Sequence, residues 1–362
     1  MAIPAEVRRG WIVDAVRERG VVRVVDLAER LGIPVVTVRR DIAALAGEGV
    51  LRRSHGAVSL SGEIGASTPW GRGRVVGMLV PTVGSYFDEV ISGARAAITA
   101  AGARLVLGIA PYEARDDRVQ AEQLLESGVD GLLLAPNWFP DGNHDGFGWL
   151  DELPVPAVLV ERRASPGGPG AGLDSVGSDH HYGVLLALRH LASLGHRSVT
   201  LAARDDTWTS HQVRAGYAEA VQLLGLEAQP VIGMKAALPR SGRADIETLA
   251  ERIVDSVTSG VRAVLVHNDH DAIQLPPLLR AHGLTVPDGL ALISYDDVYA
   301  ALAAPALTAV APPKRAVGDA AAELLLRRLD RGASMPARRI QLLPALKVRG
   351  SCGNQDRRRS TW

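Results

Sequence analysis

Cysteine is nearly missing from this chain: of 362 residues only Cys352 carries a thiol. No internal disulfide can form, which fits a reducing compartment. Net charge is missing as well, with 40 Lys and Arg against 40 Asp and Glu. No apolar run reaches the length of a membrane span, and the opening MAIPAEVRRGW lacks the apolar core of an export signal. A cytoplasmic location without membrane contact is therefore expected. Compact zinc spacing, the Gly-Lys-Ser/Thr of a phosphate loop and a G-x-S-x-G nucleophile elbow are all absent. His267, Asp269, His270 and Asp271 stand close together, but alternate residues at a strand end point apart, and GGPGAG (167–172) follows no strand. Neither a metal, nor a cofactor, nor an enzymatic activity is expected.

What is present is apolar residue, 47% of the chain, enough to bury the cores of two or three domains. Charge is balanced only globally. Up to Arg74 there are 12 Arg and 8 acidic residues (12 − 8 = +4), leaving 28 basic and 32 acidic residues for the rest (28 − 32 = −4). Within that basic end, Ala5 to Arg19 has apolar residues at helical spacing and stops at Gly20. A short helix capped by Asp26 and ended by Gly32 follows. A third helix carries Val38, Ile42 and Leu45 at i, i+4 and i+7, so Thr37, Arg39, Arg40 and Ala44 lie on or near its outer face. VLRRSHGAVSL then alternates and turns like a small hairpin. Three helices and a hairpin predict a winged helix-turn-helix over residues 1–60. Its third helix would enter the major groove of double-stranded DNA, with Arg39 and Arg40 on phosphates or guanine edges and Arg52, Arg53 and His55 on adjacent phosphates.

The segment LAERLGIPVVTVRRDIAALAGEGVLRRSHGAV resembles the winged helix-turn-helix of DeoR-type bacterial regulators, with T-V-R-R-D-I and G-V-L-R-R-S-H-G-A in order. Two positions depart from that pattern. Pro34 stands where the family has a capping Ser, and proline is tolerated at a helix start; Ala57 replaces the second wing glycine.

SGEIGASTPWGRGR (61–74) is rich in Gly and Ser and reads as a flexible linker. From Val75 onward, apolar runs such as VVGMLV, RLVLGIA, GLLLAP and PAVLV alternate with helical stretches, and the same texture resumes from SVTLAA to LALISY. Such runs are buried parallel strands joined by crossover helices. The predicted fold class is α/β: a two-lobed, doubly wound parallel-sheet sensor behind the winged helix-turn-helix. One lobe is expected over 75–160 and 308–332, the other over 162–305 and 338–349, and a disordered tail over 350–362. Ligands of such sheets sit at the carboxyl ends of the strands.

Residues 75 to about 349 resemble the effector-binding core of the LacI/GalR repressors, which is similar to periplasmic sugar-binding proteins. The resemblance rests on GMLVPTVGSYFDEVISGA, LRHLASLGHRSVTLAA and VHNDHDAIQLPPLLRAHGLTVPDGLALISYDDVYAALAAPALTAV. It implies a small sugar held between the lobes. Paired polar groups would take the hydroxyls and an aromatic face the C–H side. Matched positions place Tyr86 and Phe87 to stack, Arg162, Asn268, Asp269 and Asp296 to hold hydroxyls, and Trp138 and Trp208 as extra stacking groups. The ligand-holding Arg of the family falls on Val213, so His211 or Arg214 substitutes, or the contact is lost. Further departures are Ser294 for Gly, Asp271 and Gln274, and Pro276-Pro277, which should break or kink the following helix. The expectation is a sugar-responsive transcription regulator, repressor by the family's commonest logic, that binds its operator as a homodimer. The alternatives are a solute-binding protein or a sugar enzyme on the same fold, or a phosphosugar-isomerase-like sensor behind the DeoR-type head.

Overall fold

Residues 1–4, 20–21, 48–49, 55–56, 61–72, 83–85, 113–115, 139–145, 235–241, 333–334 and 354–362 apart, the computed structural model describes the whole chain. It divides into two units, Met1–Gly73 and Arg74–Trp362. Among the described residues no helix is long and apolar enough to cross a membrane.

In the first unit α1 (Ala5–Arg19), α2 (Val24–Leu31) and α3 (Val35–Gly47) enclose Ile12, Val16, Leu27, Val38, Ile42 and Leu45. The apolar spacing of α3 thus faces the core as expected. α2 starts two residues before the expected Asp26 cap, because β1 (Val22–Arg23) leads straight into it. β1 adds a third strand to the wing, pairing antiparallel with β3 (Ala57–Leu60), which pairs with β2 (Leu51–Ser54). Leu51 of the wing is buried in the same core.

The second unit holds two six-stranded sheets. The first contains β4 (Val75–Val80), β5 (Arg104–Ile109), β6 (Gly131–Leu134), β7 (Ala157–Val160) and β8 (Asp174–Ser178). The second begins with β9 (Thr200–Arg204), β10 (Ile232–Met234), β11 (Ala263–His267), β12 (Ala291–Tyr295) and β13 (Thr308–Ala311). β14 (Arg339–Leu342) then returns to the edge of the first sheet beside β8, and β15 (Ala345–Lys347) closes the second, antiparallel to β13. All other pairings are parallel.

These pairings redraw the expected lobes. β8 and β14 belong to the first sheet and β13 to the second, the reverse of the boundaries expected at 162, 308 and 338. Strands buried on both faces have the same apolar texture in either sheet, so the sequence reveals that they exist but not which sheet they join. The chain crosses between lobes after β8, after β13 and after β14.

Helices cover both sheets. α4 (Tyr86–Ala100) and α5 (Asp117–Glu126) follow β4 and β5, while α11 (Lys314–Arg331) crosses back from the second sheet to pack on α4. That contact rests on two glycines: a Cβ on Gly93 would lie 1.9 Å from the Arg315 carbonyl oxygen, and one on Gly318 would lie 1.9 Å from the Val90 carbonyl oxygen. No rotamer change relieves a clash with backbone, so Gly318→Ala is expected to destabilise this unit by ~3 kcal/mol or more, read by denaturant unfolding. A change under ~1 kcal/mol would mean that the helices separate at little cost.

In the second lobe, α6 (His180–Ser193) is capped by Asp179, whose side chain accepts from the Tyr182 amide. α7 (Trp208–Leu224) opens on a Thr207/Ser210 capping box and ends at Gly225 with φ 62°. α8 (Gly242–Thr258) precedes β11. Pro276-Pro277 breaks the next helix as expected: α9 (Asp269–Ala272) stops and α10 (Leu275–Ala281) starts with both prolines in its first turn. The expected disordered tail from 350 is corrected at its start. Residues 350–352 form a helical turn whose Ser351 and Cys352 are buried, with Ser351 Oγ donating to the Leu292 carbonyl at 2.5 Å and accepting from the Thr308 amide at 2.8 Å. Residues 354–362 lie outside the described residues.

Candidate effector cleft and DNA-reading face

The carboxyl ends of β4, β5, β9, β11 and β12 open onto one cavity of about 400 Å³ between the lobes. Tyr86, Phe87 and Tyr112 line it from the first lobe; Arg204, His267, Asn268, Asp269, Asp271 and Asp296 line it from the second. Five expected contacts, Tyr86, Phe87, Asn268, Asp269 and Asp296, therefore meet in one place. A second cavity of about 220 Å³ shares His270 and Asp271 with it.

Asp296 follows β12 with φ 92°, and Asp297 follows with φ 51°. A left-handed conformation at a residue other than glycine costs of order 1–3 kcal/mol and persists where surrounding structure enforces it. Here both neighbours are held. Asp297 pairs with Lys347 at 2.9 Å and Arg349 at 2.7 Å, and the buried Lys314 ammonium donates to the Asp296 carbonyl oxygen. The Asp296 carboxylate is thereby turned toward the cavity, its Oδ1 buried with no hydrogen-bond partner among the described residues. Burial, with repulsion from Asp269 and Glu161, raises its carboxyl to about 7 against the pull of Lys314 and His180.

Other cleft groups are partly engaged. Asp269 Oδ2 accepts from the amides of Val298, Tyr299 and Ala300 at 2.5, 2.5 and 3.1 Å and braces the loop behind Asp296. Asn268 caps α9 through the Asp271 amide. Arg204 is clamped by Asp206 through two bonds of 2.7 Å. His267 is held down to about 3 by burial and by the nearby His180 and Arg204 charges, so it is neutral at physiological pH.

Behind the cavity a buried polar chain crosses the lobes. Tyr86 and Ser178 hydroxyls donate to Glu161 Oε1 at 2.7 and 2.8 Å, and the Ser178 amide donates to Oε2 at 3.1 Å. His180 Nε2 stands 3.5 Å from Glu161 Oε2, an ion-pair distance outside hydrogen-bond geometry, and its Nδ1 lies 3.0 Å from the Tyr295 hydroxyl. Burial pushes the Glu161 carboxyl up, but His180, Tyr86 and the Ser178 amide outweigh it and hold it at about 2.

The remaining expected contacts lie elsewhere. Arg162 is buried and donates to the Pro136 and Glu161 carbonyls at 2.7 and 2.8 Å; it lines a separate pocket of about 110 Å³. It does not mark a lobe crossing, because β7 leads to β8 in the same sheet. Trp138 packs edge-on to Phe147 and beside Trp208, ring centres 5.7 and 6.2 Å away, inside an apolar cluster, so these tryptophans join the lobes and do not face the cavity. Val213 is fully buried. Neither neighbour replaces its expected role: Arg214 donates to the Ala203 and Arg204 carbonyls, and His211 Nε2 to the Asp205 carbonyl. Among the described residues, Arg204, which sequence reasoning missed, is the guanidinium that lines the cleft. Ser294 is buried within its sheet and does not line the cavity.

In the first unit, Arg39 and Arg40 are exposed on α3 and Thr37 is half-buried. The third member of the R-R-D motif turns inward. Asp41 is 2% exposed and accepts from Arg8 Nε at 2.8 Å and Nη2 at 3.2 Å, fixing α3 to α1. Arg52 and Arg53 lie on β2, their side chains and His55 being outside the described residues. Among the described residues, no three His, Cys, Asp or Glu side chains are grouped as metal ligands.

A head presenting basic residues on a third helix, in one chain with a two-lobed cleft, defines the class of ligand-controlled transcription regulators. Comparison with known proteins gives the family. Residues 8–62 match a DeoR-like helix-turn-helix domain and residues 188–352 a periplasmic binding protein-like domain. The HTH-type transcriptional regulator in the aml 5' region of Streptomyces limosus is 30% identical over 255 residues, 67% of each chain. The arabinose metabolism transcriptional repressor of Geobacillus stearothermophilus is 24% identical over 90% of this chain and 89% of its own. The solved complex of the transcriptional regulator CelR with cellobiose has a TM-score of 0.64 and 26% identity, covering 88% of this chain and 90% of that one. The chain belongs to the helix-turn-helix transcriptional regulators, with a DeoR-like head and a LacI-type, periplasmic-binding-protein-like domain. These relatives are named as regulators, which sets aside the solute-binding and enzyme readings of the same fold.

Proposed function

We propose that this regulator binds a two-fold symmetric operator as a homodimer in the cytoplasm and that a small neutral carbohydrate in the cleft controls that binding. The observation that carries the effector reading is the unpartnered Oδ1 of Asp296 at the wall of a cavity flanked by Tyr86, Phe87 and Tyr112. A buried acceptor without a donor costs about 1–3 kcal/mol, and a ligand hydroxyl supplies the donor. The aromatic rings offer faces to the C–H side of a sugar ring. Arg204, the described guanidinium of the cleft, is already neutralised by Asp206, so phosphate or carboxylate on the ligand finds an acidic surrounding of Asp269, Asp271 and Asp296. Relatives named for arabinose metabolism and for a cellobiose complex support the same class.

Dimerisation follows from symmetry: one short winged helix makes few base contacts, and paired half-sites double them. Ligand between the lobes favours one closure, and a coupling of ~1–3 kcal/mol changes operator affinity ~5- to 150-fold. A thermal-shift screen over neutral mono- and disaccharides is expected to give hits worth ~2.7 kcal/mol at a hundredfold excess over Kd, with phosphorylated and acid analogues of the hits silent. Stabilisation by the anionic analogues alone would overturn the neutral-sugar reading.

A further inference from the structure

α3 carries one large apolar side chain that the fold leaves exposed. Val36 is 77% exposed, while the core-facing positions of the helix are Val38, Asp41, Ile42 and Leu45. A β-branched residue in a helix gives up rotamer freedom, and an exposed one recovers none of that through burial. The helix would be served at least as well by alanine here. Val36 lies one turn before Arg39 and Arg40, so its branched methyls share the outer face with both guanidinium groups. Ala43, also exposed, continues that face one turn further and leaves it low.

Recognition helices meet base edges with their N-terminal residues, and Val36 is the second residue of α3. Of the groups displayed in the major groove, only the thymine C5-methyl is apolar. We propose that Val36 is a specificity-determining residue that reads a thymine methyl in each half-site, while Arg39 and Arg40 hold the adjacent guanine edge or phosphates. The contact excludes water from two small apolar surfaces, which cytosine or uracil at the same place cannot reproduce.

This inference rests on α3 being the DNA-reading helix, and the experiment separates the two. The full-length protein is used to select a duplex from a randomised library, and each thymine of the selected duplex is then replaced by uracil, removing only the methyl. One thymine per half-site is expected to weaken wild-type binding about fourfold when replaced, the value of one buried methyl, and to leave Val36→Ala indifferent. Val36→Ala is expected to unfold at the wild-type temperature, since its side chain touches no core. If no duplex is selected, or Arg39→Ala/Arg40→Ala binds it as wild type does, both readings fall. If a duplex is selected but every uracil replacement is silent, or acts equally on Val36→Ala, the Val36 assignment alone is overturned.

Discussion

Replacing Arg39 and Arg40 together with alanine abolishes specific operator binding and leaves the thermal unfolding of the sensor unchanged. Both side chains are exposed on the outer face of α3, and the only nearby carboxylate of the motif, Asp41, is committed to Arg8. Among the described residues neither guanidinium is held by a partner in the fold. Each contact to a guanine edge is worth ~1–3 kcal/mol, and losing each phosphate contact makes the salt dependence shallower by about one unit of slope. Two arginines in each of two half-sites therefore carry on the order of 4 kcal/mol or more, about a thousandfold in affinity. Fluorescence anisotropy with the selected duplex at several salt concentrations measures both quantities. An unchanged affinity and slope would remove the DNA role from α3. Asp41→Ala gives the contrasting result: it frees α3 from α1, so the head loses stability before it loses any contact to DNA.

Much of this arrangement is legible in the sequence because it is periodic or local. The spacing of Val38, Ile42 and Leu45 gives α3 its inner face, and the strand ends give the cleft its place. Asn268 with Asp269 and Asp296 follow directly on apolar runs, and Tyr86 and Phe87 open the helix after another, so all five meet there. What failed was long-range or a matter of direction. Arg162 follows such a run as well, but Glu161 before it turns with φ 53°, so the glutamate faces the cross-lobe chain and the arginine tucks under Pro136. His180 and Tyr295 lie 115 residues apart, and no local pattern announces their contact. Trp138 and Trp208 look alike as loop aromatics whether they stack on a ligand or on each other. Assigning strands to sheets failed for the same reason, since β8, β13 and β14 carry no mark of the sheet they join.

Asp296→Ala removes effector-induced stabilisation while the ligand-free protein keeps its operator affinity, and the pH dependence of wild type identifies the group responsible. The folded carboxyl is raised to about 7 from 3.8 by burial, with Asp269 and Glu161 repelling the charge and Lys314 and His180 attracting it. Between these two values the folded protein holds a proton that the unfolded chain has released, so stability declines as pH rises through that window and levels off above 7, a loss of up to about 4 kcal/mol. Asp296→Asn lacks this decline, and its ligand-free form is expected to be the more stable at pH 8 and closest to wild type near pH 4. Effector binding runs the other way. A sugar hydroxyl donating to the ionised carboxylate lowers its pKa, so affinity is full above 7 and falls by up to about tenfold per pH unit below it, with a proton released on binding. Calorimetry in buffers of different ionisation heat counts that proton, and the Asn variant should release none. A wild-type affinity that stays flat from pH 5.5 to 8 would place the ligand's contacts elsewhere in the cleft, on Asp271 or Arg204, and return Asp296 to the role of a strained turn.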